Sequence, residues 1–232
     1  TVTASAMEVT DNLTAITFQY GQNHSKEVKC AKEIALTLGV RHQLLDISFF
    51  RQVAWYSALT NPDRFHIPED TPAAQIGTNI PITYVPLRNT IFLSLAAAFL
   101  ESNILHAIEV DQVDPSSVVA NIFMAPNAID YSGYPDCRPE YFRQMSQALN
   151  CGSKVSTKYN IALRVETPII HKSKAAIVKM AVNLKAPLEL TWSCYHGRDV
   201  PCGSCDSCIL RAKGFQEAGV PDPLLKRLGL PS

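Results

Sequence analysis

Residues 13–47 read LTAITFQYGQNHSKEVKCAKEIALTLGVRHQLLDI, and this stretch holds two strand-like segments on either side of a helical one. The run 13–19 is rich in β-branched and aromatic residues, and 41–47 is a second short strand-like run. Between them, 25–39 places Val28 and Ile34 on one helical face and ends at Gly39. Strand, helix and strand with short connections are typical of a βαβ unit in a parallel sheet.

The rest of the chain continues this alternation. The further predicted segments are, in chain order, a helix at 88–102, a strand at 118–125, a helix at 138–150, a strand at 161–168 and a helix at 173–186. A proline-rich passage at 56–87 interrupts the order, and a loop of that length in a compact domain is usually functional or mobile. We therefore predict an α/β fold with one doubly wound, mostly parallel, Rossmann-like sheet that binds ligands at the carboxyl ends of its strands.

Composition narrows the class of protein. The 232 residues include 21 basic and 21 acidic side chains, so no field of one sign points to a nucleic acid or an anionic membrane as partner. The longest apolar run, 91–100, is shorter than a membrane span and is interpreted as a buried helix. No secretory signal is recognised, and seven cysteines are an odd number, which together predict a reducing, cytoplasmic setting.

Four of the cysteines fall close together in TWSCYHGRDVPCGSCDSC, residues 191–208; they are Cys194, Cys202, Cys205 and Cys208. The two-residue gaps let successive thiolates turn back onto one cation, and four thiolates form the closed tetrahedral shell that suits structural Zn²⁺. An iron–sulfur cluster also uses four cysteines, so spacing alone leaves it open. We predict a zinc-binding segment at 191–232, with a short helix that stops at Gly219, following an α/β domain at 1–190.

Polar and aromatic residues gather at three places where predicted strands end or helices begin. The three are YGQNH at 20–24, YVPLRN at 84–89 and NAIDYSGYPDCR at 127–138. The third contains two tyrosines, two carboxylates and an arginine, which suit a flat heterocycle with hydrogen-bond donors and acceptors around its rim. A polar surface turn rich in glycine and proline is the alternative on composition alone.

Together these motifs resemble the 7-cyano-7-deazaguanine synthases, a family of the PP-loop ATPase (adenine-nucleotide α-hydrolase) group. FQYGQNH is similar to the family's Phe-x-Tyr-Gly-Gln-x-His, and YVPLRN to its aromatic-Val-Pro-x-Arg-Asn. NAIDYSGYPDCRPEY is similar to the family's longest signature, and the cysteine stretch matches its metal-binding end. The resemblance runs from residue 1 to about residue 223 and implies a PP-loop type of sheet with a C-terminal zinc knuckle and helix.

The resemblance implies an ATP-dependent ligase that converts 7-carboxy-7-deazaguanine and ammonia into the nitrile 7-cyano-7-deazaguanine, a precursor of queuosine and archaeosine in tRNA modification. ATP with Mg²⁺ is the cosubstrate, and it activates first the carboxylate and then the amide oxygen as adenylates. The protein then contributes positioning and charge stabilisation. A homodimer without nucleic-acid or membrane partners is also expected.

The matching positions supply the expected site residues. Those expected to bind the nucleotide are Tyr20, Gly21, Gln22, Arg88 and Asn89. Arg88 and Lys174 are expected to act in catalysis, because a cation can neutralise phosphate or the charge of adenylation. The residues expected to contact the deazaguanine are Asp130, Tyr131, Tyr134, Asp136 and Arg138. Which of the two aspartates recognises the guanine-like edge stays open.

Three departures from the family pattern qualify these expectations. The family's Ser-Gly-Gly-x-Asp-Ser phosphate loop and its preceding strand do not occur in the sequence, whose first residues look like the helix after that loop. We expect both to precede Thr1 in the natural protein. Pro126 and a longer 109–119 segment are smaller departures. The alternatives are a related PP-loop enzyme that modifies a macromolecule, an inactive relative, and a zinc-stabilised nucleic-acid-binding module, which the neutral charge disfavours.

Overall fold

The computed structural model describes residues 1–129 and 133–231. Its helices and strands are, in chain order, α1 (Val2–Met7), β1 (Thr14–Gln19), α2 (Lys26–Thr37), β2 (Arg41–Asp46), α3 (Phe50–Val53), α4 (Arg88–Glu109), β3 (Ala120–Phe123), α5 (Pro139–Gly152), α6 (Lys154–Tyr159), β4 (Leu163–Glu166), α7 (Lys174–Asn183), α8 (Asp206–Ala218) and α9 (Pro223–Arg227). Short 3₁₀ turns occur at Pro115–Ser117, Pro135–Cys137 and Leu188–Leu190. Every helix and strand predicted from the sequence is therefore present.

The chain divides into two compact units. Unit one comprises Thr1–Pro86, Ile129–Tyr134 and His171–Ser232. Within it β1 pairs in parallel with β2, from Thr14 opposite Arg41 to Gln19 opposite Asp46, and α2 forms the connection between the two strands. Helix α2 buries Val28, Cys30 and Ala35, and α7 packs against α8. The predicted βαβ unit is confirmed.

Unit two comprises Leu87–Ala128 and Pro135–Ile170. Its strands β3 and β4 also pair in parallel, with Ala120 opposite Leu163 and Phe123 opposite Glu166, and α5 and α6 lie between them in the chain. The core of this unit consists of the buried side chains of Leu93, Ala97, Ile104, Ile108, Ala120, Ile122, Phe142, Val155, Ile161, Leu163 and Ile170. The parallel pair is thus covered by apolar faces of α4 and α5.

The fold is a mixed α/β fold with parallel strands, consistent with the PP-loop type. The strands of the described residues form two two-stranded sheets, β1–β2 and β3–β4. The four-cysteine segment belongs to unit one together with β1 and β2.

Helix α4 is the one helix among the described residues that is long and apolar enough to cross a membrane by length and composition alone. A core helix passes the same test, and α4 contributes Leu93, Ala97, Ile104 and Ile108 to the core of unit two. The packing agrees with the predicted buried helix.

Candidate functional site

The four cysteine sulfurs predicted to bind metal lie within 4.8 Å of one another. Cys194, Cys205 and Cys208 have exposed fractions of 2%, 0% and 7%, and Cys202 is partly buried. Zn–S bonds of about 2.3 Å at tetrahedral angles separate the ligand sulfurs by about 3.8 Å. The Cys202 and Cys208 sulfurs are 3.9 Å apart. The sulfurs therefore fit around a single tetrahedral metal ion.

The backbone of the segment helps to form this cluster. The N–H of Cys202 donates to the sulfur of Cys194 at 3.4 Å, and the N–H of Cys205 donates to the sulfur of Cys202 at 3.3 Å. Gly203 allows the tight turn because its φ is +79°. Hydrogen bonds with the thiols of Cys205 and Cys208 lower the pKa of Cys194, whereas the hydrogen bond with Cys194 raises the pKa of Cys205.

Residues near the cluster fix its position. Trp192 donates its indole N–H to the carbonyl oxygen of Cys194 at 3.0 Å. The side chains of Trp192, Tyr195 and Ile67 pack against the cysteines. Cys205 directly precedes α8, so the last two ligands are held by the first turn of a regular helix.

The residues expected to contact adenine form a tight turn at the carboxyl end of β1. Tyr20 is 5% exposed, and its N–H donates to Gln22 Oε1 at 2.8 Å. Gln22 Nε2 in turn donates to Glu27 Oε1 at 2.9 Å. Gly21 has a φ of +83°, and a Cβ there would come within 2.8 Å of the Arg51 side chain. The side chain of Gln22 therefore fixes the turn, and the absence of a Cβ at Gly21 lets the Arg51 side chain pack closely against it.

Arg88 and Asn89 begin α4, where a buried carboxylate caps the helix. The backbone N–H of Asn89 donates to Asp136 Oδ2 at 3.1 Å, and Asn89 Nδ2 donates to the carbonyl oxygen of Asp136 at 3.0 Å. Burial raises the pKa of Asp136, although the Asn89 N–H and the charge of Arg88 oppose this rise. Asp136 is 4% exposed, and its Oδ1 has no hydrogen-bond partner within the described part of the chain.

The remaining predicted residues have different surroundings. Asp130 and Tyr131 lie outside the described residues. Tyr134 is 6% exposed and donates its hydroxyl to Thr83 Oγ1 at 3.0 Å. Arg138 immediately precedes α5 in an extended conformation.

Lys174 is the first residue of α7. It packs closely on Gly214 of α8, where a Cβ would lie 2.8 Å from Lys174 Cβ.

The structure groups these residues by unit. The predicted site residues of unit one are Tyr20, Gly21, Gln22, Tyr134, Lys174 and the four cysteines, and those of unit two are Arg88, Asn89, Asp136 and Arg138.

Sequence reasoning missed Tyr195 and Glu69. The side chain of Tyr195 packs against the cysteine cluster, and Glu69 forms an antiparallel bridge with Cys205. The position of Tyr195 next to Cys194 could have indicated the first. No signal in the proline-rich passage indicated the second.

Parallel strands with helical connections, a tight turn at the end of β1 and four clustered cysteines define an α/β protein with a C-terminal centre that can hold a metal ion. Comparison with known families then identifies the particular group. The family model described as "Queuosine biosynthesis protein QueC" matches residues 1–219. The chain belongs to the QueC family.

Curated relatives agree with this assignment. A protein of Thermoplasma volcanium is 46% identical over 224 residues, which cover 97% of this chain and 84% of the relative. A protein of Picrophilus torridus is 44% identical over 219 residues, covering 94% and 83%, and one of Thermoplasma acidophilum is 44% identical over 224 residues, covering 97% and 85%. All three are named 7-cyano-7-deazaguanine synthase. The resemblance drawn from the motifs is confirmed, as is the prediction of an enzyme.

Proposed function

We propose that this protein converts 7-carboxy-7-deazaguanine and ammonia into 7-cyano-7-deazaguanine with ATP. The match to the QueC family over residues 1–219 carries this proposal. The names of the relatives, each aligned along more than nine-tenths of the chain, support the same reaction.

The chemistry requires two activations. The substrate carboxylate attacks the α-phosphorus of ATP, pyrophosphate leaves, and ammonia then displaces AMP from the acyl-adenylate to give the amide. The amide oxygen attacks a second ATP in the same way. Loss of AMP with two N–H protons then forms the C≡N bond. Each adenylation joins two bound groups and develops negative charge on phosphate, and the loss of AMP in the later steps leaves negative charge on the same group. Placement of the reactants and cationic side chains therefore account for most of the required catalysis.

Residues of unit one suit the nucleotide. We propose that the turn Tyr20–Gln22 contacts the adenine ring through its backbone, because the carboxamide of Gln22 is already bonded to Tyr20 and Glu27. Lys174, at the start of α7, is proposed to neutralise phosphate charge.

Residues of unit two suit the reacting carboxylate and its adenylate. Arg88 and Asn89 lie in the first turn of α4, where backbone N–H groups and the guanidinium favour negative charge. We propose that Arg88 stabilises the charge that develops on phosphate during adenylation. Mg²⁺ enters as the complex with ATP.

The loop 130–138 is proposed to bind the deazaguanine. Asp130, Tyr131 and Arg138 are the proposed direct contacts. Tyr134 is bonded to Thr83, so it is proposed to line the pocket mainly through its ring. Among the described residues Oδ1 of Asp136 has no hydrogen-bond partner, which supports a role as acceptor for the base, while Oδ2 caps α4.

The four cysteines are proposed to hold Zn²⁺. A closed thiolate shell has no open position for water or substrate, so the ion would supply structural stability rather than Lewis-acid chemistry. The burial of three ligands supports this assignment.

We propose that the protein has a doubly wound, mostly parallel sheet of the PP-loop type. The parallel pairs β1–β2 and β3–β4, each with helices between its strands in the chain, support this proposal. An experimental structure tests it, and antiparallel pairing within either pair would overturn it. A cytoplasmic homodimer without nucleic-acid partners completes the proposal.

The decisive experiment uses the purified protein. It is incubated with 7-carboxy-7-deazaguanine, ATP, Mg²⁺ and ammonium, and the base and AMP are followed by mass spectrometry. The proposal expects the nitrile and about two AMP per product, because each of two adenylations releases one AMP. Accumulation of the amide as the final product, or transfer of the base to a macromolecule, would overturn it.

A further inference from the structure

The cysteine segment pairs with the proline-rich passage of unit one. The N–H of Asp70 donates to the carbonyl oxygen of Ser204 at 2.8 Å, and Glu69 forms an antiparallel bridge with Cys205. The side chain of Ile67 packs against the cysteine cluster. The backbone between two predicted metal ligands is therefore attached directly to the passage.

The same passage is attached a second time, near the end of the proposed substrate loop. The Tyr134 hydroxyl donates to Thr83 Oγ1 at 3.0 Å, and the rings of Tyr84 and Tyr134 have centroids 5.8 Å apart. Gly133 has a φ of +88°, and a Cβ there would lie 2.3 Å from the carbonyl oxygen of Asn79. Only glycine permits this close backbone approach.

Tyr195 connects the two attachments. It follows the predicted ligand Cys194, packs on the cysteine cluster, and its hydroxyl lies 3.3 Å from that of Tyr134. The next residue, His196, has its Nε2 2.8 Å from Glu69 Oε1.

We propose that Tyr195 is a positioning residue, assisted by Glu69, that transmits the geometry of the metal-holding cysteines to the passage 67–84 and to Tyr134. On this proposal the metal centre sets the position of Tyr134 without touching the substrate. The passage is then held in place by contacts near both of its ends and does not move as a lid. The effect on deazaguanine binding rests on the proposed function. The structural coupling of the cysteine cluster to the passage 67–84, called the mechanical link below, does not.

The test compares Tyr195→Phe with Tyr56→Phe, a matched removal of a hydroxyl from a tyrosine that is 59% exposed in the same unit. Both variants keep all four cysteines, so zinc per chain, measured by elemental mass spectrometry, must equal that of the wild type. Hydrogen exchange of peptides from 66–84 is then measured for both variants, and for the wild type before and after removal of metal with a chelator. Glu69→Gln is a second variant that keeps the backbone bridge.

We expect faster exchange at 66–84 in Tyr195→Phe and in the chelated wild type, and no change in Tyr56→Phe. The KM for 7-carboxy-7-deazaguanine should rise roughly threefold in Tyr195→Phe, since the long hydrogen bond of 3.3 Å to Tyr134 is lost. The KM for ATP should change by less than about twofold. Unchanged exchange in both Tyr195→Phe and the chelated protein refutes the mechanical link. Faster exchange with an unchanged KM for the base refutes the link to substrate. If no nitrile forms in the wild type, the proposed function fails, but the exchange results still decide the mechanical proposal.

Discussion

The Asp222→Ala substitution removes one partner of a buried ion pair in unit one. Arg211 Nε and Nη2 donate to the two carboxylate oxygens of Asp222 at 2.6 and 2.8 Å, which is a bidentate arrangement. The side chains are 12% and 6% exposed. Asp222 also accepts the N–H of Leu224 at 2.9 Å and so caps α9. The substitution therefore breaks an ion pair and a helix cap together.

The structure sets the expected size of the effect. Loss of one partner of a buried pair typically costs about 3–5 kcal/mol, because a buried charge is left uncompensated. Loss of the cap adds about 1 kcal/mol. In the variant Arg211 keeps hydrogen bonds to Thr191 at 2.9 Å and Ser193 at 3.3 Å and still lies over the Phe215 ring. The cost of losing the ion pair should therefore fall at the lower end of that range. We expect a loss of about 4 kcal/mol in the free energy of unfolding.

Urea unfolding followed by tryptophan fluorescence is the suitable assay. The two tryptophans, Trp55 and Trp192, both belong to unit one, so their emission reports the unit that contains the ion pair. Zinc is kept in the buffer, since Cys208 lies on the same helix as Arg211. The matched control is Glu217→Ala, which removes an exposed pair with Lys213 at 3.9 Å on that helix and should cost less than about 0.5 kcal/mol.

A double variant distinguishes the unpaired charge from the other losses. Arg211→Met in the Asp222→Ala background removes the uncompensated guanidinium, so the double variant should be less destabilised than the sum of the two single variants. The reasoning is refuted if Asp222→Ala costs no more than Glu217→Ala. It is also refuted if the two single effects are additive, since an additive result means that the charges do not interact.

Three further predictions concern the metal, the chemistry and pH. Cys205→Ser should lower both zinc content and melting temperature, whereas Cys151→Ser, at an exposed position, should change neither; retained zinc in the first variant contradicts the four-ligand site. Arg88→Ala should reduce turnover about 100-fold with a melting temperature within a few degrees of wild type, and equal losses of activity and stability would show a structural role. Hydrogen bonds from Lys154, Tyr159 and Lys158 lower the pKa of Glu109 to about 2 from 4.5, so its stabilisation is present above about pH 4.5 and is lost as pH falls towards 2. Glu109→Gln should flatten this part of the acid-unfolding curve measured by circular dichroism, and the exposed Glu8→Gln should not.

The predicted parts of the fold are those that depend on local pattern. The residues of 13–47 predicted β1, α2 and β2 because β-branched and aromatic residues favour strands, while apolar residues at helical spacing favour α2. Helix α4 extends two turns past its predicted end at residue 102, since Ile104 and Ile108 continue the buried face that begins at Leu93. The predicted helix ends at residue 102, within the polar run 101–103. The apolar face resumes directly after that run, at Ile104.

Helix α6 could not be predicted because its stability comes from another helix. Glu101 of α4 accepts hydrogen bonds from the Ser153 hydroxyl and from the N–H of Val155. A six-residue segment with one buried apolar side chain has no usable periodicity. Contacts between residues far apart in the chain decide such elements.

In the candidate site, too, features set by local sequence were predictable, and features set by contacts between distant residues were not. The clustering of the four cysteines was predictable, because a short segment that can chelate a metal constrains residue type and spacing together. Asp136 was predicted only as a carboxylate suited to a heterocycle, and its sequence position gave no indication that Oδ2 caps a helix of 22 residues. The cap and the proposed contact are nevertheless compatible, because the carboxylate has two oxygens and only one is bonded within the described residues. Capping fixes the orientation of the side chain, so the second oxygen is presented in a constant direction. A residue that must recognise a rigid base benefits from that constraint, since little side-chain entropy is left to be lost on binding.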